Sequence, residues 1–142
     1  MNDTLDRFLA AQDRHCAQAL DELRAGRKTS HWIWFVLPQL RGLGRSSTAY
    51  EYGITGHAEA QAYLAHPVLG ERLRECVQTM LTHKNKPAER ILGEVDAMKF
   101  RSCLTLFEAV SGEPGGLFTQ ALQRFYGGER DEATLSLLAS SP

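Results

Sequence analysis

The spacing of apolar residues is the feature that most constrains how this chain folds. Apolar side chains recur every three or four residues along most of its length, which places them on one face of a helix. The clearest example is the set Val68, Leu69, Leu73, Val77, Met80 and Leu81. No stretch alternates apolar and polar residues over more than about four positions, so a large sheet is not expected. We therefore predict an all-α fold in which residues 1–142 form a single compact domain of seven to nine mostly short helices.

Capping and breaking residues set the predicted helix boundaries. Gly26 is expected to end the first long stretch of helix, since glycine readily takes the left-handed conformation that follows a helix. Ser30 is expected to cap a short helix at residues 31–36, and Ser46 or Ser47 another that ends at Gly53. Further helices are predicted at residues 57–65, from 66 to about 81, from 86 to 93, and at 96–110, 117–126 and 133–138, the last capped by Asp131.

Length and composition are ordinary for a soluble globular protein. The 142 residues carry a net charge of -1, and 43% of them are hydrophobic. The longest strongly apolar run, residues 32–37, is far too short to span a bilayer, and the first ten residues lack the features of a secretory signal. We therefore expect a cytoplasmic location and no membrane partner. Cys16, Cys76 and Cys103 form no CxxC pair, so buried, reduced thiols are expected rather than a metal site or disulfides.

The charge is unevenly distributed along the chain. Residues 24–50 contain no acidic residue, although the whole chain has 17. The fixed positive charges in this acid-free stretch are Arg24, Arg27, Lys28, Arg41 and Arg45. A local positive field of this kind attracts anions, and the same stretch contains both tryptophans. Positive charge beside flat aromatic surface suits a phosphate that is joined to a base or sugar.

Two segments of the acid-free stretch place bases and hydroxyl groups at a predicted helix start. They are residues 26–32 and residues 42–47, and free backbone amides at a helix N-terminus favour an anion. Alternatively, Ser30 is only a cap beside a solvated Lys28, and the GxG at residues 42–44 is a plain turn. The candidate ligand-binding residues are Arg27, Lys28, Ser30, His31, Trp32, Trp34, Gln39, Gly42, Gly44, Arg45, Ser46 and Tyr50.

Aromatic residues and one amide would complete such a site. Trp32 and Trp34 are two residues apart, so on a helix they point about 200° from each other. Either one lies in the core while the other lines a groove, or both are buried; the apolar run around Trp34 favours that residue for the core. An indole or Tyr50 can stack on a base. Gln39 can hold the polar edge of a ligand or bridge backbone groups.

A second polar set lies at residues 96–102. Asp96 and Lys99 are three residues apart on one helical face, so they can form an ion pair, and Asp96 can also cap the helix. Alternatively, Lys99 or Arg101 completes an anion site while Asp96 accepts a hydrogen bond from a ribose. His31, Asp96 and Lys99 are the candidate catalytic residues. The sequence contains neither HExxH nor GxSxG, and it leaves open whether the protein is an enzyme and whether it uses a cofactor.

Three segments of the chain resemble a known bacterial family. They are GRKTSHWIWFVLPQLRGLGRSSTAYEYGI, EAQAYLAHPVLGERL and the D-x-x-K-F-R-S-C-L-T-L-F stretch. Together they are similar to the family of domain of unknown function 1810, some members of which were once labelled calpastatin. The resemblance covers about residues 5–138 and implies an all-α, single-domain fold of the mycobacterial helical type. It implies no reaction and no catalytic residues.

A shorter pattern resembles a different group. YLAHPVLGERL, followed by Lys99-Phe100, is similar to the NADAR group, which handles ADP-ribose-type nucleotides. This likeness is a hint about ligand class only. From the basic, aromatic and glycine-containing stretch, the leading hypothesis is that the protein binds or processes a phosphate-bearing nucleotide or ADP-ribose-like ligand between the helix start at residues 28–31 and the turn at residues 42–46. The alternatives are a nucleic-acid-binding module and a protein-interaction module with a basic face, although a pI near 6.5 weakens the first of these.

Overall fold

The structure is a computed structural model that describes residues 3–140. Within that range the chain forms a short 3-10 helix, Asp3–Leu5, and nine α-helices. These are α1 Asp6–Ala25, α2 Ile33–Val36, α3 Ser47–Glu51, α4 His57–Ala65, α5 Leu69–Leu81, α6 Ala88–Leu92, α7 Glu94–Ser111, α8 Leu117–Tyr126 and α9 Glu132–Ser140. The predicted all-α fold is confirmed. None of the helices in the described part of the chain is long and apolar enough to cross a membrane.

Helix α7 is the centre of the packing. It contacts α4, α6, α8 and α9, while α1 packs against α2 and α5 on the other side of the core. Its middle is buried almost all round, which explains why residues 100–107 carry few charges. Aromatic rings connect the layers: Tyr63 of α4 lies 5.1 Å from Phe8 of α1 and 5.3 Å from Phe107 of α7, measured between ring centroids. These helices therefore share one hydrophobic core.

Most predicted helix boundaries are confirmed, but two expected caps are wrong. Asp96 does not cap its helix, because α7 begins at Glu94 and Asp96 lies inside its first turn. Gly26 follows α1 with a φ of 74°, and the Ser46 hydroxyl accepts a hydrogen bond from the Ala49 amide at 3.0 Å. Asp131 caps α9, because its carboxylate accepts from the Thr134 amide at 3.2 Å. Ser30 does not cap a helix. Helix α2 begins at Ile33, three residues later, and Ser30 is held instead by hydrogen bonds to α1.

The connector between α2 and α3, residues 37–46, is held in place by backbone hydrogen bonds. Its backbone runs beside the segment after α3: the Ile54 amide donates to the Gln39 carbonyl at 2.9 Å, and the Arg41 amide donates to the Ile54 carbonyl at 2.8 Å. Gly44 approaches α3 so closely that a Cβ there would lie 2.6 Å from the Cβ of Ala49. The connector is therefore fixed at both ends, and its inner face turns toward α7 and α9.

Candidate functional site

The first predicted anion position is occupied by a carboxylate of the protein itself. Oε1 of Glu22, on α1, accepts hydrogen bonds from the amides of Thr29 at 2.8 Å and Ser30 at 3.0 Å. It also accepts from the Trp32 indole at 2.9 Å, and the Ser30 hydroxyl hydrogen-bonds to the same carboxylate. Burial alone would raise the pKa of Glu22, but these hydrogen bonds outweigh burial and lower it to about 2. The backbone amides that were expected to receive a ligand already have an anion.

Lys28 is also engaged inside the protein. Its side chain is only 7% exposed, and Nζ lies 2.7 Å from Oδ2 of Asp96 and donates to the Ser30 carbonyl at 2.6 Å. Asp96 also pairs with Lys99 at 3.3 Å, as the sequence spacing predicts. The two predicted polar sets therefore do meet, but they meet as an ion-pair network. The expectation that Lys28 either is solvated or reaches a bound phosphate is not supported by this geometry.

The two tryptophans differ in burial, so of the two alternatives the one with a single core tryptophan holds, with the other residue in the core. Trp32 is 1% exposed and belongs to the core, and Trp34 is only partly buried. The prediction that favoured Trp34 for the core is wrong, because Trp32 precedes α2 and points inward to the Glu22 carboxylate. Both rings lie beside an ammonium group: Nζ of Lys28 is 5.0 Å from the Trp32 centroid, and Nζ of Lys99 is 4.6 Å from that of Trp34.

The second predicted anion position lies at the surface. Arg41 donates to the Tyr50 carbonyl at 2.8 Å and lies over the Tyr50 ring at 4.1 Å, so this cation is held by its own chain. Tyr50 is 65% exposed. Arg45, like Arg27 and His31 in the first segment, is exposed and forms no hydrogen bond or ion pair through its side chain within residues 3–140. Ser46 and Gly42 serve the turn into α3, Ser46 as its cap and Gly42 with a φ of 106°.

Neither metal chemistry nor a cysteine nucleophile is indicated by the described residues. Within that range no group of three or more His, Cys, Asp or Glu side chains could hold a metal ion. All three cysteines are free; Cys76 and Cys103 are buried and Cys16 is half-buried. Burial raises the pKa of Cys76 to about 12 and that of Cys103 well above its usual value, so both remain thiols at neutral pH.

A cavity of about 310 Å³ lies beside the ion-pair network, between the α2–α3 connector, α7 and the start of α9. We call it the Gln39 cavity. The connector contributes Gln39, Leu43 and Gly44, and α9 contributes Ala133, preceded by its cap Asp131. The lining residues from α7 are Val95, Met98, Lys99, Arg101 and Ser102. Of the candidate ligand-binding residues, it thus contains Gln39 and Gly44, together with the catalytic candidate Lys99.

The amide of Gln39 is the most unusual group in this cavity. Gln39 is 8% exposed, yet no hydrogen bond joins its side-chain amide to another group of the described chain. Its Nε2 lies 3.7 Å from where a Cβ of Gly44 would be, so the missing side chain at Gly44 keeps the surroundings of the amide open. The amide atoms still reach solvent, because the buried side-chain atoms without a hydrogen-bond partner in the described chain are Nε of Arg101 and Nε of Arg124. The donor and the acceptor of Gln39 are therefore available to a ligand in the cavity.

Arg101 is loosely held at the other end of the cavity. Its Nη1 pairs with Glu129 at 3.0 Å, and its Nη2 is 4.0 Å from Asp131, at the limit of an ion pair. Its Nε is buried without a hydrogen-bond partner. Asp131 itself is engaged elsewhere, since its Oδ2 accepts from the Ser102 hydroxyl at 2.9 Å and from the Thr134 amide. Arg101 thus has donor capacity that the described protein does not use.

Sequence reasoning missed most of this cavity. From the sequence, Arg101 is only a secondary candidate for an anion site. No role in lining a site is predicted for Leu43, Val95 or Met98. One signal was present: Val95 and Met98 are apolar residues three apart near the start of α7, and both are about two-thirds exposed. That exposure becomes visible only after the core-facing side of α7 is known.

The fold and the cavity together define a small all-α protein with a candidate site for a small polar ligand. The chain belongs to the family described as protein of unknown function (DUF1810), whose model matches residues 2–138. It is 45% identical to the conserved hypothetical protein Rv1873 from Mycobacterium tuberculosis, whose crystal structure superimposes with a TM-score of 0.92 over 95% of this chain and 96% of that one. None of the curated proteins compared matches the chain. The likeness to the NADAR group is not shown by these comparisons.

Proposed function

We propose that the protein binds a small phosphate-bearing nucleotide or ADP-ribose-like ligand in the Gln39 cavity. The observation that carries this proposal is the side-chain amide of Gln39, which lines the cavity and has no hydrogen-bond partner in the described chain. An amide offers a donor and an acceptor side by side, which matches the polar edge of a nucleobase. The amide is therefore available to bind such an edge.

The rest of the cavity supports the same class of ligand. Lys99 and Arg101 supply positive charge for a phosphate, and the Nε–H of Arg101 has no hydrogen-bond partner within the described chain. Leu43, Val95 and Met98 form an apolar wall against which a flat ring can pack. A cavity near the lower end of the usual range for ligand sites fits one base with its sugar.

This proposal moves the site away from the helix starts that the sequence favours. Lys28 and Ser30 are occupied by Asp96 and Glu22, so they would support the site from behind without touching the ligand. Asp96 and Lys99 retain a role through the charge that they place beside the cavity. Whether the bound ligand is also processed is a separate question, which turnover assays with the same ligands would answer. A cytoplasmic location, where nucleotides are abundant, remains part of the proposal.

Calorimetric titration and thermal melts with AMP, GMP, ATP, NAD, ADP-ribose and inorganic phosphate test the proposal. A ligand present at 100 times its dissociation constant stabilises the folded protein by about 2.7 kcal/mol. In Gln39→Leu, ligand stabilisation should disappear while the stability of the free protein changes little, because the Gln39 side chain forms no hydrogen bond within the described chain. Lys84→Met, at an exposed lysine without partners in the described chain, is the control and should bind normally.

Two outcomes would reject this function. If no nucleotide stabilises the wild-type protein, the cavity is not a nucleotide site. If Gln39→Leu binds nucleotides normally, the amide is not the recognition group. Salt-sensitive binding of single-stranded RNA, lost when the exposed Arg27 and Arg45 are replaced by glutamine, would instead favour the nucleic-acid alternative.

A further inference from the structure

A second cavity adjoins the first and shares residues with it. It has a volume of about 550 Å³ and is formed by the α8–α9 loop and the start of α9. We call it the Glu132 cavity. Arg101, Asp131 and Ala133 line both cavities, so the two cavities adjoin at these residues. Arg101 is the only cation among the three, so it is the group that can bind an anion at the junction.

The chemistry of the Glu132 cavity differs from that of the Gln39 cavity. Its lining includes the carboxylates of Glu129 and Glu132, both on exposed residues. Its other arginine, Arg130, is already bound to Glu108, with Nε at 2.5 Å and Nη2 at 2.6 Å from the two carboxylate oxygens. This cavity would repel a second phosphate, but its carboxylates are good acceptors for the hydroxyl groups of a sugar.

Arg101, at the junction, is suited to an anion. Its ion-pair partner Glu129 has a side chain that is 77% exposed, so water and salt weaken the pair. An incoming phosphate or diphosphate would compete with Glu129 for the guanidinium and can accept two parallel hydrogen bonds from it. A diphosphate at Arg101 would place the nucleoside in the Gln39 cavity and the substituent on its far phosphate in the Glu132 cavity.

From this arrangement we infer that the ligand is a nucleoside diphosphate that carries a sugar at its far end. The base lies against Gln39, the diphosphate lies at Arg101, and the terminal sugar donates hydroxyl hydrogen bonds in the Glu132 cavity. This inference rests on the proposed function and adds the second half of the ligand to it.

Calorimetric titration of AMP, ADP, ADP-ribose and UDP-glucose into the wild-type protein tests the inference. ADP-ribose should bind tighter than ADP by roughly tenfold, since only ADP-ribose carries the terminal sugar. In Glu132→Ala this advantage should disappear while ADP affinity stays the same or rises. Glu71→Ala is the matched control, because Glu71 is also an exposed glutamate without partners in the first turn of a helix, α5, and should leave all affinities unchanged.

A second pair of variants tests the role of Arg101 with opposite signs. Glu129→Gln removes the competing carboxylate and should tighten ADP binding several-fold, whereas Arg101→Gln should weaken it. A purely structural Arg101 predicts no tightening in Glu129→Gln, and that result would overturn the inference. It would also be overturned if ADP-ribose bound no tighter than ADP, or if its advantage survived in Glu132→Ala. In that case, AMP binding that is lost in Gln39→Leu would still support the proposed function. If the wild-type protein bound none of these nucleotides, both the proposed function and this inference would be rejected.

Discussion

Replacing Glu22 with glutamine tests whether the negative charge of Glu22 stabilises the fold by holding residues 29–32 of the acid-free stretch. The carboxylate of Glu22 receives two backbone amides, the Trp32 indole and the Ser30 hydroxyl. Glutamine keeps the size of the side chain and the Oε1 acceptor that takes three of these four hydrogen bonds. It loses the negative charge, so it imitates the protonated form of Glu22.

The size of the effect follows from the pKa. Glu22 has a pKa of about 2 in the folded protein, against an ordinary value of 4.5. That difference corresponds to roughly 3 kcal/mol of free energy of unfolding supplied by the charged form. Because the folded pKa is lowered, this contribution is complete above the ordinary value and is lost as the pH falls from about 4.5 to about 2. Glu22→Gln should therefore be less stable than wild type by roughly 3 kcal/mol at pH 7, and equally stable near pH 2.

Urea unfolding followed by circular dichroism at pH 7, 4 and 3 measures this difference. Other carboxylates, such as Glu108, whose hydrogen bonds to Arg130 lower its pKa, titrate in both proteins and cancel in the comparison. Glu71→Gln, at an exposed position without partners in the described chain, controls for the loss of one negative charge. A penalty that does not change between pH 7 and pH 3, or one no larger than that of the control, would refute the role assigned to Glu22.

Two further predictions concern the residues whose placement the structure reverses. Trp32→Ala should lower the free energy of unfolding by about 3–5 kcal/mol, and Trp34→Ala by less than half of that, because of these two residues only Trp32 is fully buried. Urea unfolding measures both effects. The opposite order would show that Trp34 is the core residue. Lys28→Ala should cost about 3 kcal/mol by leaving Asp96 short of a partner, whereas Arg45→Ala should stay within about 0.5 kcal/mol. Thermal melts of the two variants test this difference. If Lys28→Ala lowered the stability as little as Arg45→Ala, solvent would screen the Lys28–Asp96 pair.

The helices could be predicted from the sequence because their signals are local. Helix α5 is predicted by its apolar spacing. The end of α1 is predicted by Gly26 and the start of α9 by Asp131, and each of these residues acts within one helical turn. The start of α2 could not be predicted in this way. Ser30 has the chemistry of a cap, but a hydrogen-bond acceptor from another helix, Glu22, takes its amide and hydroxyl first.

The candidate site could be predicted only in part, because charge along the chain does not show charge in space. Residues 24–50 lack acidic residues, yet Lys28 meets Asp96, which lies 68 positions later. The local excess of positive charge therefore overstated the charge that is free in space, because Lys28 is paired while Arg27 and Arg45 remain exposed. The Gln39 cavity was less visible still, since it needs the connector, α7 and α9 to be packed together before Gln39, Met98 and Ala133 become neighbours.

Gln12 and Gln39, the two buried glutamines among the described residues, show why an unpaired group is the better guide to a site than a concentration of charge. Gln12 is 1% exposed, and its Nε2 donates to the Phe35 carbonyl at 2.6 Å and to the Tyr63 hydroxyl at 2.8 Å. The fold thus provides partners for an amide that serves only its structure. Gln39 is nearly as buried and has none in the described chain. The amide atoms of Gln39 still reach solvent, because the buried side-chain atoms without a partner in the described chain are Nε of Arg101 and Nε of Arg124. A glutamine whose donor and acceptor face a cavity beside two cations is free to bind a hydrogen-bond partner from outside the protein.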